Sequence, residues 1–249
     1  MKSLEGTVAV VTGASRGLGR ALTLALARDG VALSICARGE AELEKVAGEA
    51  RALGADVLAV AADMRHVRDV ERVVVLTLER FGKVDILVNN ASELGPTPLP
   101  LLADYPPDLF TEVLNVNLNA PFRLTQTLIG QMLRRRQGTV INISSDVAVT
   151  GYANWGAYSV SKAALDGMTR TWAAELEGTG VRMYAIDPGD MNTAMHLAAL
   201  PDDDPAGLSD PADIAEALMT IITGDFVPDT VRVEASQVTP STARRTAEA

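Results

Sequence analysis

The stretch Thr7 to Gly30, TVAVVTGASRGLGRALTLALARDG, constrains the fold of this chain more than any other. Val8, Ala9, Val10 and Val11 form a continuous apolar run, as expected of a strand buried on both faces. Thr12 to Gly19 is a glycine-rich turn. From Arg20 the apolar residues, Leu22 and Leu26 among them, recur at helical spacing, and Gly30 closes the helix. Strand, glycine turn and helix in this order make a phosphate cradle. Glycines let the backbone come close to an anion, and a helix N-terminus offers free N–H groups at the positive end of its dipole. A lone glycine turn could equally be a tight turn without a ligand. Its place between a buried strand and a helix favours the cradle. The spacing, TGxxxGxG, departs from the usual dinucleotide fingerprint GxGxxG.

The pattern that follows alternates strands with helices. Strands are predicted at Val31 to Ala37, Asp56 to Ala62, Val84 to Asn89, Thr139 to Ser144 and Val181 to Ile186. Helices are predicted at Glu40 to Leu53, His66 to Phe81, about Asp108 to Arg136, and Ala157 to Glu177. Such alternation argues for a parallel sheet covered on both faces, an α/β doubly wound architecture with seven strands. Residues 92–107 are proline-rich and read as a loop; 145–156 is a loop of small residues. Pro211 to Thr223 reads as a short helix with Asp210 as its cap and Pro211 at its first position. Thr230 to Ala235 alternates and reads as an edge strand, and the polar tail from Ser236 is expected to be disordered. No repeat, linker or composition break divides the chain, so residues 1–249 are read as one domain.

The net charge of −10 argues against nucleic acid and anionic membranes as partners. An anionic cofactor must then be held by local basic groups. The single cysteine, Cys36, allows no internal disulfide, and with two histidines, His66 and His196, it forms no metal-ligand set. The N-terminus runs straight into the first strand, so no signal peptide is expected, and no apolar run is long enough to span a membrane. A cytoplasmic location is expected.

Tyr158 and Lys162 stand at i and i+4 near the start of a helix, on one face. A cation beside a phenol favours the phenolate and draws its pKa toward working pH. Such a pair can exchange a proton with a carbonyl or alcohol oxygen, though YxxxK is also an ordinary solvated helix face. Ser144 and Ser145 lie at the carboxyl end of a strand, where open parallel sheets bind ligands; turn capping is their other reading. Asn115-Val116-Asn117-Leu118 falls inside the long predicted helix, where an unpaired Asn is locally unfavourable, so a tertiary role is expected. Asn89-Asn90-Ala91 follows the fourth strand, and Pro188-Gly189 precedes Thr193. At the end of the second strand, where an acidic residue would bind the 2′-hydroxyl of NAD, the chain has Cys36-Ala37-Arg38. A guanidinium there can pair bidentately with a 2′-phosphate. Alternatively Arg38 pairs with Glu40 or Glu42.

Taken together, TGxxxGxG, NNA, NVNL, the serine, YxxxK and PGxxxT resemble the classical short-chain dehydrogenase/reductase family in order and spacing, over about four-fifths of the chain. The resemblance implies a Rossmann-type fold and an NADP-dependent oxidoreductase acting on a carbonyl or secondary alcohol. It implies a catalytic set of Asn117 (with Asn115 as near rival), Ser145, Tyr158 and Lys162. Tyr158 would be the acid or base, Lys162 its partner and a ligand of the nicotinamide ribose. Ser145 would hold the substrate oxygen, and Asn117 would position a water. The cofactor would contact Gly13, Ser15, Arg16, Gly17, Leu18 and Gly19 in the turn, then Arg38, Asp63, Met64, Asn89 and Ala91. Tyr158, Lys162, Pro188, Met191 and Thr193 complete the set, and basic residues at positions 16 and 38 go with NADP in this family. The substrate walls are expected in residues 93–100, 146–155 and 190–200, with Leu94, Val147, Trp155, Met191 and Met195 making them mostly apolar. Ser92 stands where the family has a glycine, and the final strand lacks the family's glycine pair. A dimer through the helices around 108–136 and 157–177 is therefore expected rather than a tetramer. A sensor that binds NADP(H) without turnover is the alternative from another class; the intact Ser-Tyr-Lys set disfavours it.

Overall fold

The computed structural model describes residues 4–238. Among these, seven parallel strands form one sheet: β1 (Val8–Thr12), β2 (Ala32–Ala37), β3 (Val57–Ala61), β4 (Ile86–Asn89), β5 (Gly138–Ile143), β6 (Val181–Asp187) and β7 (Arg232–Glu234). Their order is β3-β2-β1-β4-β5-β6-β7. The order reverses between β1 and β4, and a crevice opens there beyond the carboxyl ends of the strands.

The apolar run of β1 feeds two cores. Ala9 and Val11 face one side, Val10 the other, because side chains alternate along a strand. The first core packs against α1 (Gly17–Arg28), α2 (Glu40–Ala52) and α8 (Pro211–Thr223) through Leu22, Leu26, Val46, Leu218 and Ile221. The second packs against α3 (Val67–Phe81), α5 (Ala120–Arg135) and α6 (Gly156–Glu175) through Val73, Leu124, Leu128, Met132 and Trp172. A strand buried on both faces needs apolar residues at every position, which is why β1 carries no polar alternation. Among the described residues no helix is long and apolar enough to cross a membrane.

Three segments differ from the sequence expectation. The single helix expected from about Asp108 to Arg136 is two, α4 (Pro107–Leu114) and α5, joined by a π-helical turn at Asn115–Asn119. Pro121 supplies the reason. It has no N–H to donate, and its ring would strike the carbonyl four residues back, that of Asn117, in an unbroken α-helix. A π turn widens the helix at this point. Residues 190–209, unassigned from sequence, contain α7 (Ala194–Ala199). The tail expected to be disordered from Ser236 instead begins with a 3₁₀ turn at Ala235–Gln237, and Val238 is buried in the first core. The rest of that tail, 239–249, lies outside the described residues.

Candidate active site

The glycine turn closes on β4. Gly13 and Gly17 adopt left-handed φ of 67° and 52°. A Cβ on Gly13 would stand 2.8 Å from the Ala91 Cα, and one on Gly19 would run into the Gly13 carbonyl oxygen. Asn90 fixes this approach: its Nδ2 donates to the carbonyls of Thr12 at 2.8 Å and Gly13 at 3.2 Å. Thr12 Oγ1 in turn accepts from the Asn90 and Ala91 N–H groups. Helix α1 then starts at Gly17 with no side-chain cap and no acidic residue in its first turn. Its first N–H groups and dipole thus face the crevice without a protein anion against them, which fits a dinucleotide phosphate.

Sequence reasoning chose Asn89 and missed Asn90. The Asn89 side chain instead turns into the sheet interior and donates to Asn142 Oδ1 at 2.7 Å. Ser15 and Arg16 lie on the open side of the turn and Leu18 is buried beneath it. Thr193 closes the other side, its Cγ2 lying 3.3 Å from where a Gly17 Cβ would be. Asp63 follows β3 and is engaged by Arg65 at 2.6 Å. Burial works to raise the Asp63 pKa, but the Arg65 bonds outweigh it and hold the carboxyl below its usual range. Met64 beside it is buried. Arg38 is half exposed and pairs with neither Glu40 nor Glu42; its Nη1 meets Glu93 Oε2 at 2.9 Å.

At the other end of the crevice, α6 brings Tyr158 and Lys162 to one face. The Lys162 Nζ donates to the Ile143 carbonyl at 2.7 Å and lies 5.4 Å from the centroid of the Tyr158 ring. Lys162 is 2% exposed. Burial draws its pKa down to about 8, against the pull of Asp166 and Asp187. The Tyr158 phenol moves the opposite way from the sequence expectation. Desolvation pushes it up to about 12, the Ser92 and Ser145 hydroxyls beside it opposing the rise. Asp187 and Asp146 add to the rise, since negative charge nearby disfavours the phenolate.

Ser145 lies two residues beyond β5 and caps a 3₁₀ turn at Asp146–Ala148; its hydroxyl donates to Asp146 Oδ1 at 2.9 Å. Asn117 sits in the π turn, 1% exposed. Its Oδ1 accepts from the Glu93 N–H at 2.7 Å; its Nδ2 donates to the Glu93 carbonyl at 2.9 Å and to Ser161 Oγ at 2.9 Å. The side chain of Asn115, the rival, accepts from Asn119 Nδ2 at 2.8 Å, along the helix. Behind Ser145 lies a cluster that sequence reasoning did not find. Arg232 of β7 reaches Asp166 at 3.1 Å, Asp187 at 2.8 Å and the Ser145 carbonyl at 3.1 Å. Asp166 also accepts from Ser144 Oγ at 2.5 Å, and Asp187 from the Gly189 N–H at 3.0 Å.

A cavity of about 390 Å³ opens over Ser145 and Tyr158. All five apolar residues expected in its walls, Leu94, Val147, Trp155, Met191 and Met195, line it, with Pro188 and Thr193. Asp146, Tyr152, Asp190, His196 and Leu200, which fall in the expected wall segments 146–155 and 190–200, line it as well. The sequence signal for His196 lay in Thr193, whose Oγ1 caps α7 by accepting the His196 N–H at 3.2 Å.

Comparison with known proteins agrees with this geometry. The family model described as short chain dehydrogenase matches residues 7–204. A 3-oxoacyl-[acyl-carrier-protein] reductase of Thermotoga maritima is 35% identical over 77% of both chains. A metagenomic short-chain oxidoreductase solved with NADP superposes with a TM-score of 0.80 at 31% identity, covering 93% of this chain and 97% of that one. NAD⁺-bound xylitol dehydrogenase superposes with a TM-score of 0.83 at 27% identity, covering 94% and 98%. The chain is a member of the short-chain dehydrogenase/reductase family of oxidoreductases.

Proposed function

We propose that this protein is an NADP-dependent oxidoreductase (EC 1.1.1.-) of the cytoplasm that interconverts a carbonyl and a secondary alcohol, the whole chain forming one catalytic domain. The observation that carries this reading is the meeting of Ser145 and Tyr158 at one cavity beside the glycine cradle, with the buried Lys162 ammonium against the Tyr158 ring. NADPH, when bound, supplies the hydride that reduces the carbonyl carbon. Tyr158 donates its phenolic proton to the carbonyl oxygen. Ser145 holds the same oxygen through its hydroxyl, exchanging the bond it makes to Asp146. Lys162, fixed through Ile143, stabilises the phenolate left behind and binds the nicotinamide ribose. Asn117 holds the 92–93 segment in place and, as in the family, positions a water leading to Lys162.

Arg38 supports the choice of NADP, since the end of β2 presents a guanidinium where an NAD enzyme presents a carboxylate. The walls of the cavity favour a compact, largely apolar ketone. The test is the absorbance of the nicotinamide with NADPH or NADH and a panel of ketones and alcohols. NADPH should be consumed with at least one ketone. Tight NADPH binding without turnover on any member of a broad panel would favour the sensor.

We also expect a homodimer through the helices of 108–136 and 157–177, in keeping with the exposed Phe122, Leu133 and Val160 there. Light scattering at micromolar concentration should give twice the chain mass; a tetramer would contradict it.

A further inference from the structure

The Arg38–Glu93 ion pair is the feature of the cofactor crevice that its family reading does not use. Arg38 directly follows β2, and Glu93 lies just beyond the end of β4. Between those strands stands β1, with the glycine turn at its carboxyl end. A contact of 2.9 Å from Arg38 to Glu93 therefore crosses over the end of β1, from the nucleotide side of the crevice to the catalytic side. Neither side chain is buried: Arg38 is 50% and Glu93 26% exposed.

The carboxylate has a fixed base. The Glu93 N–H and carbonyl are both held by the Asn117 side chain, at 2.7 and 2.9 Å. Asn117 also takes a hydrogen bond from the Ser92 hydroxyl at 3.3 Å. When Arg38 turns away, Glu93 cannot follow by moving its backbone, and its charge stays at the crevice.

We infer that Glu93 is a cofactor-selectivity residue that competes with the 2′-phosphate of NADPH for Arg38. This rests on Arg38 being the phosphate ligand of the proposed function. A phosphate carries close to two negative charges and three acceptor oxygens. To take Arg38 it must break the pair with Glu93, and it then faces the released carboxylate. A cofactor with a 2′-hydroxyl displaces nothing, so the cost falls on the phosphorylated cofactor alone. Glu93 thus narrows the preference that Arg38 creates.

The experiment is fluorescence titration of NADPH and NADH against the parent, Glu93→Gln, Arg38→Ala and the double variant. Gln keeps the length of the side chain and leaves the backbone bonds to Asn117, but it has no charge. An exposed ion pair is a modest competitor, so Glu93→Gln should tighten NADPH by about threefold to tenfold. NADH should change by less than about twofold, and the effect on NADPH should shrink when Arg38 is already Ala, since only the repulsion by the carboxylate is then left to remove. Weaker NADPH binding by Glu93→Gln, or an unchanged NADPH to NADH ratio, would overturn the inference and show Glu93 to be a support for Arg38 or a bystander. If Arg38→Ala weakens NADPH in that same experiment, the assignment of the phosphate to Arg38 still stands. If Arg38→Ala leaves NADPH unchanged, both fall together.

Discussion

At the nucleotide end of the crevice, Arg38 leaves half of its side chain in solvent and is paired with one carboxylate, that of Glu93. At the catalytic end, Arg232 is 20% exposed and its guanidinium reaches two nearly buried carboxylates and the Ser145 carbonyl. The two arginines have the same chemistry and opposite surroundings. An exposed pair is worth about 0–1 kcal/mol, so an incoming anion can take its place. A pair within the protein cannot be opened cheaply, because the partner left behind keeps its charge in a poor solvent. One arginine can therefore serve a ligand, while the other serves the fold. Arg232 has a further consequence for chemistry. Its partners, Asp166 and Asp187, are the groups that support the Lys162 charge against burial, so it sets how much of their negative charge Lys162 feels. It also ties the backbone of Ser145 to β7, on the strand where the family's glycine pair is missing.

The comparison breaks first if Arg232 proves dispensable. Arg232→Ala leaves Asp166 and Asp187 without their paired guanidinium, and the cost should be on the order of 3 kcal/mol, at the lower end for such pairs because Arg232 is not fully buried. For a chain of this size that amounts to a fall in Tm of roughly 6–12 °C. Arg232→Lys keeps the charge but loses the planar fork, and should fall between the two. Urea denaturation of the three proteins measures this; a loss below about 0.5 kcal/mol would reduce Arg232 to a surface residue.

The next effect separates the two ends functionally. Tyr158→Phe keeps the ring and removes the proton donor. Turnover should drop by on the order of 10² or more, as general acid catalysis contributes about that much. NADPH affinity should stay within about twofold, since the phosphate end is untouched. Stopped-flow turnover beside a binding titration checks both. Turnover within a few-fold of the parent would remove Tyr158 from the chemistry.

What could be read from the sequence was set locally. The β1 strand, its glycine turn and α1 form one continuous pattern, and Tyr158 and Lys162 stand one helical turn apart. The π turn was hidden because the apolar spacing of α4 runs on into α5 without a break, and only Pro121 marks the place. Contacts between distant residues left no trace in any local pattern. Arg38 finds Glu93 from 55 positions away, and Arg232 finds Asp166 from 66. The direction of the Tyr158 shift was missed for the same reason. The cation beside it was visible in the sequence, but the desolvation of the phenol and the approach of Asp187 and Asp146 were not.

Arg38→Asp is the mirror of Tyr158→Phe, and its effect is the smallest of the three. Charge-assisted hydrogen bonds are worth roughly 1.5–3 kcal/mol each, but Arg38 is half solvated, which lowers the figure. Losing the guanidinium and placing a carboxylate before the 2′-phosphate should weaken NADPH by at least about tenfold, or 1.4 kcal/mol. The same carboxylate can accept a hydrogen bond from the 2′-hydroxyl of NADH, as in enzymes that use NAD. That gain is limited here, because Glu93 puts a second carboxylate within reach of the same place. NADH should therefore change by no more than a few-fold in either direction. Turnover at saturating NADPH should match the parent, since Tyr158 and Ser145 line the cavity at the other end of the crevice and Lys162 stands beside Tyr158. Titrating both cofactors and measuring turnover at saturation decides the matter. A parent that prefers NADH, or equal weakening of both cofactors, would mean that Arg38 does not hold the 2′-phosphate. A large loss of turnover at saturation would mean that the two ends of the crevice do not act separately.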